Sequence, residues 1–267
     1  MVEFQSMIKD IHPGIFVHSI YIEEDQDKDQ RAGFYGDVNE QVELVAEQLS
    51  GVEELKDGFD ALGFSQGGQF LRAYVERYNS PPVHNLITFG AQHMGVSDMP
   101  GCRPFDVLCQ IARSTAKKSV YAAWAQKHLV QAQYYRDASQ LDLYLEANHF
   151  LTSINNELPK PSQRNTTYAT NLASLNKLVL VMFARDKTVV PKETAWFGSY
   201  APDTDDASDE KTIVPMRVQP LYVEDWIGLR ALDEKDGVVL TMCDGEHMQL
   251  PKKCWEPIVK RYVGGAI

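Results

Sequence analysis

A mostly parallel α/β sheet covered by helices on both faces is the fold this sequence predicts, on three observations. Apolar runs recur along the chain as short, β-branched-rich, mostly non-alternating segments, the pattern of strands buried on both sides. Amphipathic helical stretches lie between the early runs, and strand alternating with helix means a parallel, doubly wound sheet. With 267 residues, 44% of them hydrophobic and 24% charged, the chain can bury a large core.

The runs, in order, are GIFVHSIYI (14–22), FDALGFS (59–65), HNLITFG (84–90), LVLVMFA (178–184) and GVVLTMCDG (237–245). Each reads as a strand. Between the first two, residues 39–55 bring Val42, Val45, Leu49 and Val52 to one helical face. Residues 69–78 repeat the pattern with Phe70, Leu71, Tyr74, Val75 and Tyr78. From about 98 to 175 the rhythm stops, and YAAWAQKHLVQAQYY (121–135) is helical and aromatic. Such an insertion is expected to form a lid or substrate groove rather than extend the sheet. The core is therefore read as 1–97 and 176–267, divided by a helical insertion over 98–175. The acidic stretch 201–211 reads as an exposed loop.

A net charge of −11 argues against a nucleic-acid partner, because neutralising phosphates takes clustered Lys and Arg. It gives no support for an anionic membrane surface either. No run of about 18 apolar residues is present to span a bilayer. The N-terminus lacks the basic start and apolar core of a signal peptide. Four cysteines have the wrong spacing for zinc, and no metal or cofactor is expected. Cys102 and Cys109 are near enough to close a small loop, whereas Cys243 and Cys254 have no evident partner. One glycosylation sequon starts at Asn165.

The chemistry centres on DALGFSQGGQF (60–70), where Ser65 sits at the spacing Gly63-x-Ser65-x-Gly67. A strand before it and a helix after it are the setting of a nucleophile elbow. There a strained serine stands above the sheet, and neighbours without Cβ let strand and helix approach. Gln66 opens the helix, so its backbone N–H is free to stabilise an oxyanion. A serine needs a base and an orienting carboxylate. Asp186 follows the run at 178–184 and His247 follows the last run, in the chain order Ser, Asp, His. Both lie at strand C-terminal ends, where open sheets build their sites. Asp244 and Glu246 are nearby carboxylates that a solvated surface would explain. His93, in GAQHMG, is a rival base but precedes the acid.

The segment GFSQGGQFLRAYVERYNSPPVHNLITFGAQHMGV resembles the palmitoyl-protein thioesterase family, nearest its type 1 members. The likeness continues through HLVQAQYYRD (128–137), KETAWFGSY (192–200) and DGEHMQL (244–250). It implies an α/β-hydrolase fold and removal of fatty acyl groups from cysteine thioesters in lysosomes. Carried over residue by residue, it makes Ser65 the nucleophile, Asp186 the acid and His247 the base. It also implies a Cys102–Cys109 disulfide and glycosylation at Asn165. S-palmitoylated proteins or peptides are the expected partners. Trp124, Leu129, Tyr134, Phe150, Trp196 and Phe197 are candidates to line the acyl groove, though aromatics at such spacing commonly build core.

One departure stands out. The family pattern starts with a signal peptide, then a strand ending in a His-Gly-x-Gly loop that gives the second oxyanion N–H. No stretch before 14–22 has that form, His12-Pro13-Gly14 included, so the sequence is expected to be N-terminally incomplete. In the hydrolase topology that strand pairs between 14–22 and 59–64. Two other readings remain: a non-catalytic acyl-binding or interaction protein on the same fold, and an oxygen-ester lipase.

Overall fold

The computed structural model of the chain describes residues 2–98, 119–158, 160–202 and 211–265. Four strands form the central sheet: β1 (Phe59–Phe64), β2 (Val83–Phe89), β3 (Lys177–Phe183) and β6 (Val238–Cys243), in the order β1-β2-β3-β6. All three pairings are parallel. A separate antiparallel pair joins β4 (Ser199–Tyr200) to β5 (Ile213–Val214). Four of the five sequence-predicted strands are thus in the sheet.

Burial on two faces explains why these runs do not alternate. Along β3, Leu178 and Leu180 pack into one apolar cluster and Val179, Val181 and Phe183 into another. β2 sorts the same way, with Leu86 on one face and Ile87 and Phe89 on the other. Successive side chains point to opposite faces, so a strand covered on both sides must be apolar throughout. The first face is covered by α3 (Val38–Ser50) and α4 (Gln66–Arg77), which follow the short α2 (Gln26–Ala32), and the second by α1 (Val2–Ile11) and the helix Lys252–Tyr262. Asp37 caps α3, its carboxylate accepting from the Asn39 N–H.

The run at 14–22 does not join the sheet. It carries no strand pairing, and its side chains are only half-buried or exposed, with Phe16 46% and Tyr21 39% exposed. A cavity of about 590 Å³ separates it from β1, lined from one side by Val17, Ile20 and Ile22 and from the other by Ala61, Leu62 and Gly63. The two share no ladder.

The described part of 98–175 holds short helices, Ala123–His128, Leu141–Ala147, Leu151–Ile154 and Thr166–Ala173. Cys102 and Cys109 lie outside the described residues, as does most of the acidic stretch at 201–211. Among the described residues, no helix is long and apolar enough to cross a membrane.

A buried arginine ties the insertion to the core. Arg72 and Glu76, one turn apart on α4, are 0% exposed and meet at 3.0 Å. Arg72 also donates to the Ile154 carbonyl at 3.2 Å, the Asn155 side chain at 2.8 Å and the His93 carbonyl at 3.0 Å. Burial raises the Glu76 carboxyl to about 7, although the Arg72 and Arg77 charges pull the other way. An unfolded chain releases that proton near the ordinary carboxylate value, about 4.3. Between those values the folded state holds the extra proton, so raising the pH favours unfolding. The contribution of Glu76 to stability should fall as pH rises through about 7, and Glu76→Gln should remove it. Calorimetric Tm of both proteins from about pH 5 to 8 checks it; a wild-type-minus-variant difference that stays flat or grows with pH contradicts it.

Candidate active site

Ser65 joins β1 to α4 in a backbone state of φ 50° and ψ −123°, outside the regions open to most L-residues. Close approach enforces it. A Cβ on Gly63 would run into the backbone of Gly68, and a Cβ on Gly68 would lie 2.7 Å from Ala91 Cβ and 2.8 Å from Thr88 Cβ. The Ser65 N–H donates to the Phe89 carbonyl at 2.7 Å, which locks the elbow to β2. Gly67, although part of the motif, has open space where a Cβ would go. The packed pair is Gly63 and Gly68, a refinement of the sequence reading. Gln66 is the first residue of α4, where backbone N–H groups have no partner within the helix.

Three strand ends converge on Ser65. Asp186 follows β3, and its Oδ1 accepts from the Thr188 and Val189 N–H groups at 2.9 and 3.0 Å. Its Oδ2 lies 2.6 Å from His247 Nδ1. The other ring nitrogen, Nε2, lies 2.9 Å from Ser65 Oγ. With Nδ1–H donating to the carboxylate, Nε2 is left to accept the serine proton, a tautomer assigned from the network. Gly90 makes room for this ring: its φ is +61°, and a Cβ there would lie 2.8 Å from the Phe183 ring and 3.3 Å from His247 Cε1.

The loop bearing His247 is stapled at both ends. Cys243 closes β6, Cys254 lies in the first turn of the helix Lys252–Tyr262, and the two form a disulfide with Cα atoms 5.5 Å apart. Sequence reasoning found no partner for either cysteine. The available signal was that the pair brackets His247 between a strand end and a helix start. The rival carboxylates are at the surface: Asp244 pairs with exposed Arg185 at 2.7 Å, and Glu246 is exposed.

His93 is built differently. It is 0% exposed, stacked on Phe197 with centroids 4.6 Å apart, and its Nε2 is 3.0 Å from Thr88 Oγ1. Burial, aided by the Arg72 charge, holds its pKa well below the usual imidazole value. It is neutral and packed. Sequence reasoning passed over its neighbour Gln92, whose side-chain amide reaches Ser65 Oγ at 3.0 Å.

The six candidate groove residues are dispersed. Tyr134, Phe150 and Phe197 are buried in the main apolar cluster, with Leu129 and Trp196 packed against it. The Trp196 indole donates to the Leu180 and Thr241 carbonyls at 3.0 and 3.2 Å, bridging β3 and β6. Trp124 is 61% exposed and stacks on His128. None of the six lines the cavity beside β1 or a second one of about 260 Å³ between the insertion and the β4–β5 pair. Asn165 is exposed, and its side chain caps the helix Thr166–Ala173.

A parallel sheet with a strained serine after one strand and an aspartate and a histidine after later ones defines an α/β-hydrolase. Residues 1–247 match the family model described as palmitoyl protein thioesterase. The chain is 41% identical to palmitoyl-protein thioesterase 1 of Caenorhabditis elegans over 94% of its own length and 81% of the relative's. It is 35% identical to palmitoyl-protein thioesterase 3 of Dictyostelium discoideum over the same shares. A Drosophila melanogaster protein named lysosomal thioesterase PPT2 homolog is 29% identical over 90% of this chain and 77% of its own. The chain belongs to the palmitoyl-protein thioesterase family and is a hydrolase.

Two predictions come from this geometry. Gly63→Ala and Gly68→Ala should each destabilise by about 3 kcal/mol or more through overpacking, while Gly67→Ala should be neutral or slightly stabilising; urea midpoints rank the three. Removing the staple as Cys243→Ser/Cys254→Ser, with its 11-residue separation, should cost roughly 3 kcal/mol. An unchanged midpoint under non-reducing conditions would count against the bridge.

Proposed function

We propose that the chain is a serine thioesterase that hydrolyses palmitoyl and similar long-chain acyl thioesters of S-acylated cysteines in proteins or peptides. The observation that carries this is the Asp186–His247–Ser65 relay, with links of 2.6 and 2.9 Å, in a chain matching the family over residues 1–247.

His247 Nε2 takes the Ser65 proton as Oγ adds to the thioester carbonyl. The tetrahedral oxyanion is met by the Gln66 N–H. Collapse breaks the carbon–sulfur bond, and the thiol leaves with the proton from His247. Water then gives a proton to His247 and adds to the acyl-serine, the carbon–Oγ bond breaks, and Ser65 recovers its proton as the fatty acid leaves. Asp186 holds the imidazole in the required tautomer and stabilises the imidazolium.

The relatives named lysosomal support a lysosomal or secretory-lumen site, and the exposed sequon at Asn165 would carry a glycan there. The Cys243–Cys254 bridge supports an oxidising compartment.

The test is release of thiol and palmitate from a palmitoyl-cysteine peptide by the chain and by Ser65→Ala and His247→Ala. Each substitution should lower kcat at least about a thousandfold. Palmitate binding without turnover would favour the acyl-binding reading. Cleavage of the matching oxygen ester but not the thioester would favour a lipase.

A further inference from the structure

We propose that Gln92 is a catalytic residue whose side-chain amide donates a hydrogen bond to the Ser65 oxygen and stabilises the charge that gathers there. The inference rests on the serine-hydrolase reading and deepens it. Gln92 Nε2 lies 3.0 Å from Ser65 Oγ, and His247 Nε2 lies 2.9 Å from the same oxygen. Because His247 accepts the hydroxyl proton, Oγ can only accept from the amide. The donor is therefore the Nε2–H, and the flipped amide would set one acceptor against another.

A stability role does not account for this side chain. Gln92 is 4% exposed, and its Oε1 is buried with no hydrogen-bond partner. A buried orphan acceptor typically costs about 1–3 kcal/mol. An apolar side chain of similar size would avoid that cost, so the amide is explained by its one donation, to the nucleophile. Its position is fixed from behind: the buried Gln69 amide donates to the Gln92 carbonyl at 2.8 Å, and the Gly95 N–H donates to it at 2.9 Å.

The donation matters when Oγ carries negative charge. That happens first as the serine proton moves to His247. It happens again in deacylation, when the carbon–Oγ bond breaks and its electron pair returns to Oγ before reprotonation. Hydrogen bonds to a charged oxygen are worth roughly twice those to a neutral one. Gln92 should thus accelerate both acylation and deacylation. A carboxylate at the same position would instead accept the Ser65 proton and compete with His247.

The experiment compares wild type, Gln92→Leu and Gln92→Glu on a palmitoyl thioester, with acyl-enzyme followed by intact-mass spectrometry. Gln92→Leu should lower kcat about 10- to 100-fold and slow both single-turnover thiol release and the decay of palmitoylated Ser65. Gln92→Glu should keep most activity in acid, where the protonated carboxyl still donates, and lose it as that group ionises. Wild-type kcat and pH profile in both variants would overturn the proposal. So would a fall in kcat that follows Tm, with the Gln92→Glu pH profile unshifted. Labelling by a serine-directed fluorophosphonate separates the two levels. If wild type neither hydrolyses thioester nor is labelled at Ser65, the serine-hydrolase reading falls and this inference with it. If wild type does both and the variants match it, only Gln92 is dismissed.

Discussion

The contact between the end of β1 and the first turn of α4 is the constraint on which the site depends. Gly63 and Gly68 touch so closely that neither tolerates a Cβ, and Ser65 is forced to positive φ as the chain turns between them. Such a backbone state costs on the order of 1–3 kcal/mol and persists only where its surroundings over-determine it. Here they do so from two sides. The Ser65 N–H is held by the Phe89 carbonyl, and Gly68 is pressed against Thr88 and Ala91. Were strand and helix to separate, the hydroxyl would drop toward the sheet and the Gln66 N–H would swing away with it.

Behind that elbow, Arg72 braces α4 against Ile154 and Asn155 of the insertion. Its guanidinium meets Glu76, two insertion groups and the His93 carbonyl, and lies 5.2 Å above the Phe197 ring. Phe197 stacks in turn on His93. Two fully buried charges incur a desolvation cost that their attraction need not recover, and the arrangement leaves Arg72 Nε and Glu76 Oε2 unpartnered. Its contribution is better understood as register. The directional bonds admit one placement of Ile154 and Asn155 against α4, and of the turn that carries Gln92.

What the sequence made legible follows from what each residue signals. β1, β2, β3 and β6 were readable because burial on both faces demands unbroken apolar runs. Ser65, Asp186 and His247 were readable because their chain order and strand-end positions constrain one another. The run at 14–22 misled because apolar composition alone sets neither burial nor pairing; here the side chains are half-buried or exposed and a cavity lies between the run and β1. Tyr134, Phe150 and Phe197 carry the same apolar signal whether they line a groove or fill the core, and they are found in the core. The contact of Gln92 with Ser65 was not legible because the titratable residue in GAQHMG is His93, while an amide's partner appears only in the folded chain. The Cys243–Cys254 pair has no motif, and only the folded chain brings it together.

The three arms that meet at Ser65 are held by different means, and the difference bears on which can drift. Asp186 is fixed by two backbone N–H groups one turn on, so its carboxylate moves only if the strand end moves. Gln92 is clamped through its own carbonyl by Gln69 and Gly95. His247 has no such local clamp in its ring bonds: they go to Asp186 and Ser65. Its loop is tied to β3 by the Arg185 N–H donating to the Gly245 carbonyl, and Met248 next to it sits at a φ of 62°. A drifting ring would lose both of its contacts, to Asp186 and to Ser65. Closing the loop with a covalent bond restricts its open conformations, and so helps keep Nε2 facing Ser65 Oγ.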